Sequence, residues 1–237
     1  MGIGAEELSL LIRVVPLAIG AAFTPSLFAL QILTTSGPKW LSRSIAFFAG
    51  SASAFFIACS LLFLGLTQLP QRKPADPDIL GGIIWMLAAA VLLGVTIWLF
   101  IPHKDLAVKM EAGLKKQLDK AHLATFFGVA FALSIKDITS FALIVPALHE
   151  VTASSVGIIF QLGTSLLIYA LALFPVILPP LWRILRGERA TKDMAGIYRF
   201  TMDNQFRIIG VIAALFCLYS VAMALGPYGF GVYGNPS

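Results

Sequence analysis

Two adjacent charged residues stand in the middle of a long apolar stretch of the chain. Lys136 and Asp137 lie within FALSIKDITSFAL, residues 131–143, and no other residue between Ala121 and Leu148 is charged. A lysine there could attract an anionic group, and an aspartate could balance its charge or carry a proton. A charge at the centre of a membrane helix costs roughly 2.5–3.5 kcal/mol, and such residues generally mark substrate or ion pathways. The pair is therefore the first candidate for a binding site.

Three arrangements would accommodate this pair. Consecutive side chains do not face each other on a helix, so Lys136 and Asp137 are not an ideal intrahelical ion pair. The helix could be broken there, with its charges exposed to a cavity, or each charge could have a partner on another helix. Alternatively, the lysine could reach the membrane surface while the aspartate is protonated, in a purely structural role. We favour a functional cavity, because intramembrane ionisable groups usually face an interior.

A second polar interruption lies in the first apolar run, at AFTPSLFALQ, residues 22–31. Pro25 removes a backbone N–H and clashes with the preceding turn, which predicts a kink or a break. Thr24 and Ser26 could satisfy the freed backbone groups or contact a ligand, and Gln31 follows one to two turns later. A kinked helix with capping hydroxyls is the simpler explanation of this segment alone. Polar interruptions at matching places in two halves of a chain, however, indicate a transporter site.

One further polar residue, Gln161, lies in an apolar run of the second half. It could contact a substrate, although a structural hydrogen bond to another helix is the favoured role. The two cysteines, Cys59 and Cys217, are single and fall in apolar runs, which is typical of small packing residues. His149 and Glu150 have no other His, Asp or Glu cluster nearby in sequence, so we expect no metal site.

Six uncharged runs contain these candidates. Of the 237 residues, 58% are hydrophobic and 12% are charged, whereas an ordinary soluble domain is about 25% charged. A bilayer core requires roughly 20 apolar residues per helix, so the sequence predicts an all-α membrane protein with six transmembrane helices. Their approximate bounds are 14–34, 44–68, 79–101, 123–148, 155–180 and 207–226.

Basic residues concentrate in alternate loops. They are Lys39 and Arg43 in the 1–2 loop, Lys104, Lys109, Lys115, Lys116 and Lys120 in the 3–4 loop, and Arg183, Arg186, Arg189, Lys192, Arg199 and Arg207 around the 5–6 loop. Cytoplasmic loops carry an excess of Lys and Arg. We therefore predict that these loops are cytoplasmic and that both termini lie outside. The net charge of +5 then reports topology, and we expect no nucleic-acid partner.

The chain forms a single predicted membrane domain, 1–237, with two halves. Half 1 covers 1–102, a connector helix covers 103–122, and half 2 covers 123–237. Three helices per half give the halves opposite orientations, as in the inverted repeats of many transporters. The connector carries apolar residues every four positions among lysines, which predicts an amphipathic cytoplasmic helix. It could lie on anionic headgroups or pack against the bundle.

Catalytic equipment is missing from the sequence. No Walker A loop is present, FFAGSAS is not a nucleophile elbow, and no histidine lies within a predicted span. We expect neither enzymatic activity nor a cofactor.

Three segments resemble the GAP or sulfolipid-addressing family, which belongs to the lysine-exporter superfamily. They are PLAIGAAFTPSLFALQIL (16–33), FALSIKDITSFAL (131–143) and MDNQFRIIGVIAALFCLYSVAMAL (202–225). The family's fourth helix usually reads Asn-Pro-Lys-Asn. Here Lys136 carries over, whereas Ile135 stands in place of the proline and Asp137 in place of an amide, so the resemblance does not itself predict a break. Pro25 carries over in helix 1.

The resemblance implies export. Family members are associated with delivering glycopeptidolipids or sulfolipids to the cell surface, and superfamily relatives export amino acids or metal ions. We therefore predict a secondary transporter of a bacterial inner membrane that exports a lipid or another anionic amphiphile. Its site would lie at the midplane between helices 1 and 4 and would comprise Thr24, Pro25, Ser26, Gln31, Lys136, Asp137 and Gln161.

Two alternatives remain at this point: an exporter of a small solute, and a non-transporting accessory protein of lipid export or synthesis. The predicted partners are anionic headgroups at the cytoplasmic face and the lipid or small-molecule substrate. Small-residue faces are compatible with a homodimer without requiring one.

Overall fold

The computed structural model describes residues 4–37, 39–69, 78–101, 122–226 and 230–231, and all their regular secondary structure is helical. Of the predicted connector helix, 103–122, only His122 belongs to these residues. The helices are α1 (Ala5–Ala21), α2 (Pro25–Ser36), α3 (Trp40–Leu66), α4 (Ile79–Phe100), α5 (Leu123–Ile135), α6 (Ile138–Thr152), α7 (Ile158–Ala172), α8 (Phe174–Arg186) and α9 (Arg189–Leu225).

Length and composition allow three to six membrane spans. Helices α3 and α4 and the Phe206–Leu225 part of α9 are each long and apolar enough to cross a membrane. The pairs α1–α2, α5–α6 and α7–α8 also qualify when each pair is counted as one span, bent by 57°, 62° and 63° respectively. Counted in this way, these pairs are the first, fourth and fifth candidate spans, called simply spans from here on. Large apolar side chains cover the outer surface; Ile159, for example, is 85% exposed. A surface of this kind suits lipid rather than water, so this is a multi-pass membrane protein.

Two of the three breaks fall where the sequence has its polar interruptions. Pro25 is the first residue of α2, a position where its missing N–H costs nothing and its fixed φ favours helix. In the second half, Asp137 separates α5 from α6 and caps α6, because its side chain accepts the Ser140 N–H. The fourth span is therefore broken without a proline, by an aspartate that forms a better helix start than a helix interior.

The third break was not predicted. The fifth span, expected as one helix over 155–180, is two helices with Leu173 between them. Pro175 lies in the first turn of α8 and cannot donate the backbone hydrogen bond that would continue α7. The first span begins at Ala5 rather than at residue 14, and α9 begins at Arg189 rather than at 207.

Different polar contacts join the helices at the two ends of the bundle. One end, here the terminal end, joins α1 to the C-terminal part of α6 through an Arg13–Glu150 ion pair. The other end, here the basic end, joins the start of α3 to α8, where Arg183 stacks on Trp40. The main apolar core lies between them and includes fully buried Leu17, Trp85, Phe126, Ile144 and Val176.

Helix contacts repeat between the two halves of the chain. Helix α3 packs on α5, and α2 packs on α8, so the second span contacts the fourth as the fifth contacts the first. Similarly, α4 contacts α6 while α9 contacts α2. Helices α1 and α6 pack together, as do α4 and α9. Exchanging the two halves reproduces most of these contacts, but the contact between α8 and α9 has no counterpart of similar extent between α3 and α4.

Candidate functional site

The breaks in the first and fourth spans are joined by hydrogen bonds. The Ser140 hydroxyl lies 2.7 Å from the carbonyl oxygen of Ala21, the last residue of α1. The same hydroxyl lies 2.6 Å from Asp137 Oδ2, and Asp137 Oδ1 accepts the Ser140 N–H at 3.2 Å. A helix terminus leaves its last carbonyls without intrahelical partners. Ser140, buried in α6, thus satisfies a carbonyl that the break in the first span exposes.

This arrangement has one hydroxyl hydrogen for two oxygen acceptors. If Asp137 is ionised, Ser140 can donate either to its carboxylate or to the Ala21 carbonyl, since a serine carries a single O–H donor. If Asp137 is protonated, its O–H can donate to Ser140 Oγ while Ser140 donates to Ala21. Only the protonated form satisfies both short contacts at once. Asp137 is therefore suited to holding a proton at this contact between the two helix breaks, here called the crossing.

Lys136 and Asp137 point to different environments. Asp137 is partly buried and faces Ser140, whereas Lys136 is exposed beside Ile135 and Ile138, which are 43% and 62% exposed. Among the described residues, no carboxylate lies within 4.0 Å of the Lys136 ammonium. The pair is therefore divided, with the aspartate at the crossing of the spans and the lysine on the apolar outer surface. An exposed cation there is available to an anionic group of a lipid.

An apolar groove opens beside the break in the first span. Its volume is about 450 Å³, within the range of small-molecule pockets. The lining residues are Ile19, Ala22, Phe23, Thr24, Pro25, Phe28, Leu171, Phe174, Pro175, Leu178, Thr201 and Ile208. Phe23 and Phe174 are 49% and 51% exposed, so the groove is open at the side of the bundle. It joins the breaks of the first and fifth spans, and only its two threonines are polar.

The structure does not bring the predicted site residues together in one place. Thr24 and Pro25 line the groove, whereas Ser26, Gln31, Gln161, Lys136 and Asp137 do not. The fully buried Gln31 amide donates to the carbonyls of Ser44 and Val176 at 3.3 and 2.9 Å, which ties α2 to α3 and α8. The Gln161 amide donates to the carbonyls of Ser154 and Val156 at 3.1 and 3.3 Å and holds the α6–α7 connection.

The structure contains a polar assembly at the terminal end that was not predicted from the sequence. Arg13 Nε lies 3.0 Å from Glu150 Oε2, and the Trp85 indole N–H donates to Glu150 Oε1 at 3.2 Å. Glu150 is only 5% exposed. This buried carboxylate therefore fastens α1, α4 and α6 together. No local spacing relates Arg13 to Glu150, so the sequence gives no direct signal for the pair.

A polar pocket of about 390 Å³ adjoins this assembly. It is lined by Ala5, Glu6, Ser9, Arg13, Asp78, Glu150, Ala153, Ser154, Ser155 and Val156. His149 Nε2 lies 4.0 Å from Asp78 Oδ2. No group of three or more His, Cys, Asp or Glu side chains arranged for a metal ion was found within the part of the chain that the structure describes.

Aromatic residues and arginines pack together at the basic end. Arg183 lies over the Trp40 ring at 4.6 Å from its centroid, and Arg186 lies over Trp182 at 5.0 Å. A small apolar cluster, separate from the main core, adjoins them; it comprises Ile32, Ala190 and Met194, with Phe28, Trp182 and Tyr198 packed against it. Phe28 also lines the groove. The groove and the basic end are thus contiguous.

One comparison with known proteins identifies a relationship. The sequence pattern of a family described as Sap, sulfolipid-1-addressing protein, matches residues 14–226, which is most of the chain and includes both helix breaks of the crossing. No curated protein and no solved structure matches the chain.

Proposed function

The chain belongs to the sulfolipid-1-addressing protein family, and from this premise we propose that it moves an anionic amphiphile outward across a membrane. The family's description connects it with the addressing of a sulfolipid, and the apolar helices make it a multi-pass membrane protein. Membership of the lysine-exporter superfamily and residence in a bacterial inner membrane are parts of this proposal.

The observation that carries the proposal is the laterally open apolar groove at the helix breaks. A small polar solute needs a site whose walls offer hydrogen bonds, because polar groups are costly to bury without partners. This groove offers chiefly apolar side chains, with Thr24 and Thr201 as the polar exceptions. An acyl chain could enter it from the bilayer between the exposed rings of Phe23 and Phe174 without losing hydrogen bonds to water.

The two charged residues of the fourth span would have separate roles. Lys136, exposed and without an ion-pair partner within 4.0 Å among the described residues, would attract the anionic group of the amphiphile. Asp137 would exchange a proton at the crossing and so couple the movement to a proton gradient. Ionised Asp137 and the Ala21 carbonyl compete for one serine hydrogen, so proton release would weaken the connection between the spans.

Alternating access would follow from two inverted halves. The partial repetition of helix contacts on exchanging the halves supports this arrangement, which is common among secondary transporters. In this orientation the terminal end lies outside and the basic end is cytoplasmic, as the excess of basic residues predicts. The buried Arg13–Glu150 pair would then close the outer end. We propose no enzymatic step and no cofactor.

The test is to fill the groove. Ala22 is partly buried in the groove lining, whereas Ala90 is exposed on α4 away from it. We expect Ala22→Trp to slow the movement of a fluorescent anionic phospholipid between leaflets of proteoliposomes at least tenfold, and Ala90→Trp to leave it unchanged. Equal rates for the two variants, with both proteins folded and inserted, would refute the groove as the lipid path.

A second candidate function, the export of a small polar solute, is favoured by the polar pocket at the terminal end. Three carboxylates, Arg13 and several serine hydroxyls line it, and such groups could hydrogen-bond a hydrated solute. Uptake of radiolabelled amino acids into inverted vesicles distinguishes the two functions. Uptake that Ser154→Ala abolishes and Ala22→Trp leaves intact would favour the solute exporter.

A further inference from the structure

We infer that the basic end carries a binding site for an anionic headgroup, a phosphate or sulfate ester, formed by Trp40, Trp182 and Arg183. The inference deepens the proposed function and rests on it, because the site would hold the headgroup of the amphiphile before its tail enters the groove. Three independent features support it: the stacked arginine, two donors without partners, and continuity with the groove.

Arg183 is held in a geometry suited to an oxyanion. Its guanidinium carbon lies 4.6 Å from the centroid of the Trp40 ring. Stacking covers the face of a guanidinium and leaves the N–H groups at its edge available. Two of these N–H groups can donate parallel hydrogen bonds to two oxygens of a phosphate. No carboxylate lies within 4.0 Å of Arg183 among the described residues, although Glu188 is near enough to attract it electrostatically.

Two buried donors at this position lack partners. Arg183 Nη1 and Trp182 Nε1 are both shielded from solvent, and neither has a hydrogen-bond partner in the described part of the chain. A buried donor without a partner costs about 1–3 kcal/mol, and more if it is charged. Each donor could therefore serve an acceptor that the described chain does not supply. Because consecutive side chains diverge on a helix, the Arg183 guanidinium would make the main contact with an ester oxyanion, and Trp182 Nε1 could reach another oxygen of the same headgroup.

The surroundings are positively charged. Arg186 stacks on Trp182, and its ion pair with Asp193, at 3.8 Å, is half-exposed and therefore weak. Arg43 lies one helical turn beyond Trp40 on α3, so the two side chains share a face. These arginines would raise the local concentration of anionic headgroups, while Trp40 and Arg183 supply the defined contact.

The site and the groove lie along the same face of α8. Leu178 lines the groove, and Trp182 follows it by one turn, a rise of about 6 Å along the helix. Phe28 lines the groove and packs against the same small cluster as Trp182. A single amphiphile could therefore have its tail in the groove and its headgroup at Arg183.

The test compares two single charge deletions by native mass spectrometry of the detergent-solubilised full chain. Arg183→Gln removes the stacked guanidinium, and Arg199→Gln removes an exposed arginine of α9. The probes are dioleoyl phosphatidylglycerol and dioleoyl phosphatidylcholine. We expect Arg183→Gln to weaken phosphatidylglycerol binding about tenfold, as the loss of a charge-assisted hydrogen bond would. Phosphatidylcholine binding and the Arg199→Gln variant should be unchanged.

A variant that preserves the charge separates the geometry from simple attraction. Arg183→Lys keeps the cation but loses the planar fork, so it should bind phosphatidylglycerol less well than the wild type. Equal binding by Arg183→Gln, Arg199→Gln and the wild type would overturn the inference. Circular dichroism and thermal unfolding verify that the variants are folded.

Inorganic phosphate distinguishes the source of the anion. Titration of phosphate against chloride at constant ionic strength should leave phosphatidylglycerol bound if the site recognises a lipid. Displacement by millimolar phosphate in the wild type, absent in Arg183→Gln, would support the same anion site with a soluble ligand. The flipping assay with Ala22→Trp tests the groove separately, so lipid export can fail while the headgroup site stands, or the reverse.

Discussion

Arg13 and Glu150 form an ion pair of 3.0 Å between α1 and α6, with the carboxylate 5% exposed. Two charges in the interior of a membrane protein must be matched closely, because each is costly alone. Trp85 donates to the second carboxylate oxygen, so this pair also holds α4. The terminal end of the bundle therefore depends on a contact between residues far apart in sequence.

A double-mutant cycle should show this dependence. Arg13→Met and Glu150→Gln should each lower the free energy of unfolding by about 3 kcal/mol, because each leaves a buried partner unsatisfied. The double variant should lose less than the sum. Arg186 and Asp193 provide the control, since they are 58% and 48% exposed and should couple by less than about 1 kcal/mol. Thermal unfolding in detergent measures both cycles; similar coupling energies would contradict the prediction.

Removal of the Ser140 hydroxyl should disconnect the two breaks. Ser140→Ala leaves the Ala21 carbonyl and Asp137 without their shared donor, so we expect a loss of about 1–3 kcal/mol and slower lipid flipping. Ser165→Ala is the control, because the Ser165 hydroxyl donates only within its own helix, to the Gln161 carbonyl at 2.9 Å. If both variants flip lipid at the same rate, the Ser140 bridge has no part in the movement.

Asp137→Asn should separate the structural and the protonic roles of this residue. Asparagine caps helices as well as aspartate does, and its amide can donate to Ser140 as a protonated carboxyl would. We therefore expect unchanged thermal stability but no acceleration of flipping by an imposed proton gradient. Asp203→Asn, at an exposed position of α9, should retain the acceleration. Gradient-driven flipping by Asp137→Asn would exclude Asp137 as the proton carrier.

Lys136→Met should abolish the movement of anionic lipid while leaving the protein folded. Methionine suits the exposed, apolar surroundings of Ile135 and Ile138, so the substitution removes an unfavourable charge. Lys192→Met removes an exposed lysine near the basic end and should have little effect. Flipping of a fluorescent anionic phospholipid in proteoliposomes measures both variants. A normal rate with Lys136→Met would remove lysine from the mechanism.

Local chemistry predicted a kink or break at Pro25 and offered a break at Lys136 and Asp137 as one of three arrangements. Pro25 cannot continue a helix, and Lys136 with Asp137 is a costly insertion into an apolar span, so both positions signalled an irregularity. The break at Leu173 was missed, although Pro175 was visible, because the apolar run continues through it and hydropathy alone treats it as one span. The proline, rather than the hydropathy, was the informative signal there.

Contacts between distant residues could not be predicted in the same way. The Ser140–Ala21 bond depends on the packing of α6 against α1, and nothing in either local sequence specifies the other. Gln31 and Gln161 were included in the predicted site because they are polar in apolar runs, although a structural hydrogen bond was favoured for Gln161. The structure gives each of them two backbone carbonyl acceptors, a role that is visible only once the helices are packed.

The broken spans also bear on biogenesis. Helix α5, with 13 residues, is only about 20 Å long, whereas the hydrocarbon core is about 30 Å thick. Neither α5 nor α6 is therefore long enough to cross that core alone, and only the pair together, with its polar junction, has the length of a span. The Ala21 carbonyl that Ser140 contacts lies in α1, which precedes α5 and α6 in the chain. When α5 and α6 are synthesised, their hydrogen-bonding partner has therefore already been made.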